Sequence, residues 1–179
     1  MLERERASTS LRHAATHDPL TGLANRARFY GALLEALDDP WHGPLVGVLY
    51  IDLDGFKPVN DRYGHGAGDF VLREVGRRLE RTVRAGDLVA RLGGDEFTVL
   101  CRGIEDAAIL GEVAARITGE IAAPIEVGGH QVRIGATVGI ASSPPGVATI
   151  DELVDAADGA LYEAKVSDKG SYRFASTPA

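Results

Sequence analysis

The chain has 179 residues, 45% of them hydrophobic and 25% charged, which is the composition of one globular domain with a sizeable core. A formal net charge of −7 disfavours binding to a nucleic acid polymer. A single cysteine excludes an internal disulfide and favours a cytoplasmic location, and no apolar stretch is long enough to predict a membrane-spanning segment.

Hydrophobic periodicity and turn residues predict helices and strands along the whole chain. A charged, alanine-rich segment over residues 1–16 predicts a leading helix, followed by a domain over 17–175 and a tail over 176–179. The order strand, helix, hairpin, helix, strand is the ferredoxin-like βαββαβ order, which predicts an α+β fold with an extra N-terminal helix and C-terminal strand. The predicted elements are a loop over 17–26, a helix over 28–37, a strand over 45–52, a helix over 67–84, a hairpin over 88–101, a helix over 104–121, a strand over 130–141, a helix over 150–166 and a strand over 172–174.

The helix predicted over 67–84 is amphipathic. Valine and leucine side chains recur along one stripe, as expected for a face that packs on the core. We expect its remaining surface to be a solvated basic face, formed by Arg73, Arg77, Arg78 and Arg81.

Residues 93–97, Gly-Gly-Asp-Glu-Phe, lie between the two apolar runs of the predicted hairpin. Glycine adopts positive φ without steric cost, so Gly93 and Gly94 predict a tight turn with Asp95 and Glu96 at its tip. Carboxylates at a glycine turn suit Mg²⁺ shared with a phosphate ester, because Mg²⁺ prefers hard oxygen ligands. Considered alone, the stretch is equally compatible with a surface turn whose acidic side chains are solvated.

A second acidic stretch follows the first predicted strand. Asp52 lies at the predicted end of that strand, and Gly55 and Phe56 begin a strand-to-helix turn whose free N–H groups can bind phosphate. Asp52 and Asp54 alternate along the extended chain, so only one of them need face the site. A plain turn is the alternative for these residues, whereas the ligand spacing of a calcium-binding EF-hand loop is absent.

Together, the two acidic stretches resemble those of the GGDEF family, the diguanylate cyclases. Further motifs carry the resemblance: D-x-L-T-G-L-x-N-R at 18–26, F-K-x-x-N-D at 56–61, G-H-x-x-G-D at 64–69 and later blocks at 138–141 and 161–165. The resemblance covers nearly the whole chain and implies the palm-like fold that nucleotide cyclases share with some polymerases. It also implies condensation of two GTP molecules to cyclic di-GMP and two pyrophosphates by two domains that meet face to face as a homodimer.

The resemblance implies catalytic, metal-binding and phosphate-binding roles for residues of both acidic stretches. Asp52, Asp95 and Glu96 are the implied catalytic residues and, with the carbonyl of Leu53, the implied ligands of Mg²⁺ (or Mn²⁺). Glu96 serves either as a metal ligand or in activating the attacking hydroxyl, and both roles stay open. The implied triphosphate-binding groups are the amides of Gly55 and Phe56 and the side chains of Lys57, Lys165 and Lys169. Gly93 and Gly94 are also implied to bind substrate, because glycine lets a bulky substrate approach the backbone.

The choice of base is implied by two residues of the G-H-x-x-G-D region. Asp69 matches the family's guanine-binding acid, and Asn60 matches its partner. A carboxylate can accept hydrogen bonds from both N1–H and N2–H₂ of guanine, whereas adenine has no matching donor pair, so GTP is expected over ATP. Considered alone, Asp69 is also explained as an acid favoured by the dipole at a helix N-terminus.

A regulatory site is implied just before the hairpin. Arg84 and Asp87 match the family's R-x-x-D motif for product inhibition by cyclic di-GMP, and Arg116 corresponds to an additional arginine of that site. Arginine offers a fork of donors to guanine and phosphate, and aspartate accepts from a guanine edge. The alternative is a surface ion pair at the end of a helix.

The chain departs from the family pattern after the last predicted helix. Lys169 stands where many members carry arginine, which keeps the charge but loses the bidentate fork, and Asp168 adds an opposing charge beside it. The alternative to an active cyclase is a catalytically silent module that binds GTP or cyclic di-GMP and regulates a partner domain. Residues 172–174, Tyr-Arg-Phe, resemble the junction before a phosphodiesterase (EAL) domain, so attachment to a sensory or EAL domain is expected in a longer protein.

Overall fold

The computed structural model describes residues 14–39 and 43–176. Residues 14–16 are helical, whereas 1–13 and 177–179 lie outside the described residues, so the domain boundaries predicted at 16 and 175 stay predictions. The helices of the described part are α1 (Arg26–Asp38), α2 (Phe56–Tyr63), α3 (His65–Thr82), α4 (Ala108–Ala122) and α5 (Ile150–Ser167). The strands are β1 (Leu45–Asp54), β2 (Leu88–Gly93), β3 (Glu96–Ile104), β4 (Ile125–Val127), β5 (His130–Val132), β6 (Gly135–Ser143) and β7 (Tyr172–Phe174).

A five-stranded sheet in the order β2-β3-β1-β6-β7 forms the centre of the fold. β1 pairs antiparallel with both β3 and β6, β2 and β3 form the hairpin, and β7 adds a parallel strand beside β6. The order β2-β3-β1-β6, with helices connecting β1 to β2 and β3 to β6, is the ferredoxin-like arrangement. The predicted α+β fold and its extra C-terminal strand are confirmed.

The two faces of the sheet carry separate apolar clusters, because successive side chains of β1 point to opposite sides. Leu49 and Ile51 pack on the face covered by α3 and α4, whereas Tyr50 packs on the face covered by α1 and α5. Asp52 and Asp54 continue the row of Tyr50, and both contact α5. Residues two apart in a strand share a face, so the argument that these two aspartates alternate is wrong, and both of them pair with Lys165.

Several predicted element bounds are wrong, including those of the helices predicted over 28–37 and 67–84, which are α1 (Arg26–Asp38) and α3 (His65–Thr82). The strand predicted to end at Asp52 continues to Asp54, because β6 pairs with β1 along this whole length. The helix predicted from Ile104 begins at Ala108, because Ile104 still pairs with β1 as the last residue of β3. The single strand predicted over 130–141 is two strands, since β5 pairs with β4 in a separate two-stranded sheet and β6 pairs with β1.

Arg78 is buried on α3, which corrects its assignment to a solvated basic face, whereas the other three arginines of that face are exposed. Its guanidinium donates to the carbonyl oxygens of Glu120 at 2.8 Å, Ala123 at 2.6 Å and Pro124 at 2.9 Å, and to the carboxylate of Glu74 at 3.0 Å. The last carbonyls of a helix have no partner within it, so a cation at that end satisfies them and complements the helix dipole. Arg78 therefore fixes the C-terminal end of α4 against α3.

α5 lies close to the sheet because residue 139 of β6 is glycine. A Cβ atom at Gly139 would overlap the backbone of Ala157 and Leu161 on α5. This close approach brings Lys165, near the C-terminal end of α5, to the end of β1 that carries Asp52.

Candidate active site

The turn between β2 and β3 carries the acidic residues of the 93–97 stretch. Its two glycines have φ values of 143° and 51°, which residues with a side chain rarely adopt. Glu96 is the register partner of Asp52 across the sheet, and the Leu53 N–H donates to the Asp95 carbonyl at 3.3 Å. The predicted hairpin is confirmed, and the structure brings the implied metal ligands to one end of β1 and β3.

Lys165 reaches the same end of the sheet from α5. Its ammonium forms ion pairs with Asp52 and with Oδ1 of Asp54, the latter at 3.1 Å. Burial alone would lower the pKa of Lys165, but hydrogen bonds to the two aspartates outweigh it and raise the pKa. Lys165 is therefore protonated at neutral pH, and two carboxylates hold its charge at the site.

The carboxylates at this end of the sheet are crowded. Burial raises the pKa of Asp52 and outweighs the hydrogen bond from Lys165, and the negative charge of Asp95 adds to the rise. Burial also raises the pKa of Glu96, and the charge of Asp52 adds to that rise. Acidic groups that raise one another's pKa are stabilised by a further cation between them.

The donor set suits a hard cation. Within residues 14–39 and 43–176, no three acidic, histidine or cysteine side chains are arranged as a ready-made metal site. Mg²⁺ usually takes one or two protein carboxylates and completes its coordination with water and substrate phosphate oxygens. Asp52, Asp95 and Glu96 offer oxygen ligands only, and their crowding favours added positive charge. These residues fit Mg²⁺ (or Mn²⁺) held jointly with a phosphorylated substrate.

The turn between β1 and α2 offers backbone donors to an anion. Gly55, the N-cap residue of α2, has a φ of 78° and has no side chain that could accept a hydrogen bond from the first turn of the helix. N–H groups at the start of a helix favour a negatively charged ligand. Phe56 is buried and anchors this turn on the core, whereas Lys57 is exposed beside it. Backbone donors and a cation are thus combined where the sequence predicts phosphate binding.

The implied guanine-binding residues lie where α2 meets α3. The amide of Asn60 packs against Gly68, and a Cβ atom at residue 68 would overlap the Asn60 side chain. Asp69 follows in the first turns of α3 and is half-buried. The structure brings Asn60 and Asp69 to the same junction, and their role in base recognition stays a prediction.

Thr137 is a site residue that the sequence reasoning missed. It is fully buried on β6 and donates from Oγ1 to Oδ2 of Asp54 at 2.6 Å. The Gly170 N–H donates to the same hydroxyl at 2.9 Å, next to Lys169 in the turn after α5. Only the register of β1 and β6, in which Thr137 faces Asp52, reveals this position, and no local motif indicates it.

Arg91 is a second residue that the motifs did not single out. It lies in β2, and its Nε and Nη2 donate to the Gly94 carbonyl at 3.0 and 2.8 Å. Its Nη1 donates to Asp18 at 3.0 Å, and Asp18 also accepts hydrogen bonds from the Thr21 amide at 2.8 Å and hydroxyl at 2.7 Å. The 18–26 motif is therefore connected to the acidic turn through one guanidinium.

Two of the three implied inhibitory residues, Arg84 and Asp87, line a cavity of about 480 Å³ that is separate from the acidic turn. Arg84 and Asp87 form an ion pair at 3.0 Å, in which the Asp87 carboxyl is nearly fully buried. Arg116 is exposed on α4 and does not line this cavity. The cavity is lined by His17, Gly22, Leu23, Ala24, Arg28, Glu80, Val83, Arg84, Ala85, Asp87, Leu88 and Val89.

A family model described as the diguanylate cyclase GGDEF domain matches residues 15–171. The chain belongs to the GGDEF family. It is 45% identical over 170 residues to the diguanylate cyclase TpbB of Pseudomonas aeruginosa, covering 94% of this chain and 39% of TpbB. It is 43% identical over 175 residues to MucR of the same species, a bifunctional diguanylate cyclase/cyclic di-GMP phosphodiesterase, covering 94% of this chain and 25% of MucR.

The GGDEF fold of this chain is also similar to a solved structure from Caulobacter crescentus, the coiled coil and GGDEF domain of DgcB in complex with c-di-GMP. The TM-score is 0.87 at 29% identity, covering 97% of this chain and 93% of that one. The chain spans less than half the length of TpbB and of MucR. In the described ranges, no helix combines the length and the apolar character needed to cross a membrane.

Proposed function

We propose that this GGDEF chain is an active diguanylate cyclase that condenses two GTP molecules into cyclic di-GMP and two pyrophosphates. The observation that carries the proposal is the meeting of Asp52, Asp95 and Glu96 with Lys165 at one end of β1 and β3. Catalytically silent relatives are expected to have lost an acid of the turn, and this chain retains both.

The reaction requires little covalent chemistry from the protein. The 3′-oxygen of one GTP attacks the α-phosphorus of the other, a new phosphodiester bond forms, and the bond to the β-phosphate oxygen breaks as pyrophosphate leaves. The 3′-oxygen of the second GTP attacks the α-phosphorus of the first in the same way, which releases the second pyrophosphate and closes the ring. Positioning and charge stabilisation therefore account for most of the acceleration, as in other phosphoryl transfers.

Residues of this chain are assigned to those two tasks. Asp52, Asp95 and Glu96, with the Leu53 carbonyl, would hold Mg²⁺ (or Mn²⁺), which polarises the α-phosphate and lowers the pKa of the attacking hydroxyl. Glu96 is assigned either to the metal or to the hydroxyl proton. Asn60 and Asp69 are assigned to guanine. The residues assigned to the rest of the substrate are Gly55, Phe56, Lys57, Gly93, Gly94, Lys165 and Lys169.

The proposed enzyme works as a homodimer. One domain has a single acidic turn, whereas the reaction forms two phosphodiester bonds, one from each GTP molecule to the other. We assign Arg84, Asp87 and Arg116 to feedback inhibition by cyclic di-GMP. The cavity beside Arg84 and Asp87 supports this assignment, since its volume falls in the range of small-molecule sites and it is separate from the acidic turn. A sensory or EAL domain in a longer protein would control the distance between two copies.

A silent binding module is the second candidate. The separation of the Arg84 cavity from the acidic turn favours it, because cyclic di-GMP can bind there without any turnover. In that case the chain would report the nucleotide to a partner domain in a longer protein.

The test is incubation of the protein at high concentration with GTP and Mg²⁺, followed by chromatographic separation of the nucleotides. Cyclic di-GMP and pyrophosphate are expected from the wild type and from a fusion to a parallel coiled coil, which forces dimerisation. The variant Asp95→Ala, in the same fusion, is the negative control. Bound GTP or cyclic di-GMP without product in the forced dimer would support the silent module and contradict the cyclase.

A further inference from the structure

One buried hydroxyl ties the turn between α5 and β7 to the candidate active site. Thr137 has no solvent exposure on β6, where it is the register partner of Asp52. Its Oγ1 donates to Oδ2 of Asp54 at 2.6 Å and accepts from the Gly170 N–H at 2.9 Å. The direction of both bonds is fixed, because an amide can only donate and the single hydroxyl hydrogen must go to the carboxylate.

Each partner of Thr137 adjoins a lysine. Asp54 presents its other oxygen, Oδ1, to the Lys165 ammonium at 3.1 Å. Gly170 directly follows Lys169 and has a φ of 81°, so the chain reverses here. One side-chain oxygen therefore joins the carboxylate that holds Lys165 to the turn that carries Lys169.

The ends of this turn are held by other bonds. The Asp168 N–H donates to the Ala164 carbonyl at 2.8 Å where α5 ends, and the Val138 N–H donates to the Ser171 carbonyl at 3.0 Å before β7. Thr137 holds the middle of the turn to the sheet. Loss of its hydroxyl would therefore free residues 169–170 from the sheet, while the ends of the turn stay in place and the Ser171 hydroxyl still donates to the Asp168 carbonyl at 2.5 Å.

We propose that Thr137 is a positioning residue for triphosphate binding, which acts through Gly170 on Lys169 and through Asp54 on Lys165. The inference rests on the proposed function, which assigns both lysines to the substrate phosphates. A lysine ammonium is a point charge on a flexible stem and lacks the guanidinium fork, so its placement depends strongly on its backbone. Lys169 stands where many family members carry arginine, and an anchored turn compensates for the missing fork.

The test compares Thr137→Val, which keeps the shape and removes both hydrogen bonds, with Thr137→Ser, which keeps the hydroxyl. We expect Thr137→Val to raise KM for GTP about tenfold with a much smaller change in kcat, because the affected lysines act on substrate binding. Thr137→Ser should restore KM to within about twofold of wild type. In a Lys169→Ala background, Thr137→Val should raise KM for GTP by a smaller factor, because both changes affect the contact between Lys169 and the substrate phosphates.

Thr98→Val is the matched control. Thr98 is also fully buried, on β3, but its hydroxyl has no hydrogen-bond partner among the described residues. Its replacement by valine should leave KM unchanged, because no bond is lost. Gly170→Ala tests the same anchor without touching the core, since a φ of 81° disfavours alanine and KM should rise as in Thr137→Val.

Two results would overturn the proposal: an unchanged KM in both Thr137→Val and Gly170→Ala, or an equal rise in Thr137→Ser and Thr137→Val. An inactive wild type would instead contradict the cyclase function. In that case the affinity of wild type and of the same variants for GTP is measured by calorimetry and compared in place of KM. Equal affinities of wild type and Thr137→Val would then refute the positioning role.

Discussion

Asp18 and Arg91 form an ion pair at 3.0 Å that connects the loop before α1 to the strand leading into the acidic turn. The two side chains are mostly buried, with exposed fractions of 14% and 12%. The same guanidinium donates two hydrogen bonds to the Gly94 carbonyl. The motif at 18–26, far from the turn in sequence, therefore helps to fix the backbone of the turn that carries Asp95 and Glu96.

Arg91→Lys should lower kcat by about tenfold or more although it keeps the charge. A lysine ammonium lacks the planar set of donors with which Arg91 binds Asp18 and the Gly94 carbonyl at the same time. Steady-state kinetics on the forced dimer would measure the change. A double-mutant cycle with Asp18→Asn should give a coupling free energy of about 1–2 kcal/mol in urea unfolding. Arg77→Lys is the control, since Arg77 is exposed on α3 and pairs with Glu74 at the surface. Wild-type kinetics in Arg91→Lys would contradict this role.

The Asp18 interaction should also make stability depend on pH. Burial opposes the ionised form of Asp18, but hydrogen bonds from Thr21 and Arg91 outweigh burial and lower its pKa below the ordinary 3.8. Such a group stabilises the fold fully above its unfolded-state pKa and loses that contribution as the pH falls through the folded-state value.

We therefore expect Asp18→Asn to reduce the free energy of unfolding by about 2 kcal/mol at pH 7 and by progressively less below about pH 4. Urea unfolding of wild type and variant between neutral and acidic pH measures the difference. If the difference in the free energy of unfolding between wild type and Asp18→Asn stays constant down to about pH 2, the ionised carboxylate of Asp18 does not stabilise the fold.

Local sequence signals were sufficient for the acidic turn. The Gly-Gly pair between apolar runs predicts the hairpin, and an apolar run followed by Asp52 predicts a strand that ends near the site. The pairing of Asp52 with Glu96 was not predictable, because strand register depends on partners far apart in sequence. The same holds for the split of residues 130–141 between two sheets, since pairing partners change without a change in periodicity.

Two polar residues show why the rest of the site and core escaped prediction. Arg78 satisfies the polar pattern of an exposed helix face, yet it caps the carbonyls of α4, more than forty residues later in sequence. Thr137 fits any buried strand, and its partners Asp54 and Gly170 come from different elements. A polar side chain with partners distant in sequence leaves no periodic signal, so only the tertiary structure reveals its function.

Glu96→Gln should abolish turnover without loss of stability. The pKa of Glu96 is raised by burial and by the charge of Asp52, so its ionised form costs stability at neutral pH. Glutamine keeps the shape and removes that charge. We expect kcat to fall by about a thousandfold or more, and the Tm to stay equal or rise.

Cyclic di-GMP production and thermal unfolding of the same preparation check the Glu96 prediction. Glu126→Gln, an exposed change on β4, is the charge-matched control and should affect neither quantity. A lower Tm in Glu96→Gln would mean that the carboxylate stabilises the turn, contrary to the direction of its pKa shift.

Arg84→Ala should weaken inhibition by cyclic di-GMP about tenfold or more, because Arg84 lines the cavity and its guanidinium can offer a fork of donors to guanine and phosphate. Initial rates at increasing cyclic di-GMP, each relative to the uninhibited rate of the same variant, measure the effect. Arg116→Ala tests the assigned additional arginine in the same way. Arg77→Ala removes an exposed arginine outside the cavity and should leave inhibition unchanged. Equal inhibition of Arg84→Ala and wild type would place the inhibitory site elsewhere.

Gly68→Ala should raise KM for GTP although it adds one methyl group, because a Cβ atom at this position would displace the Asn60 side chain beside Asp69. We expect a rise of about tenfold and weaker discrimination against ATP, measured by steady-state kinetics with each nucleotide. Gly66→Ala is the matched control in the same first turn of α3, since a Cβ atom at Gly66 meets nothing within 4 Å. That control should keep KM and gain stability of roughly 0.5–1 kcal/mol from helix propensity. If both variants show the same KM, Asn60 does not contribute to base recognition.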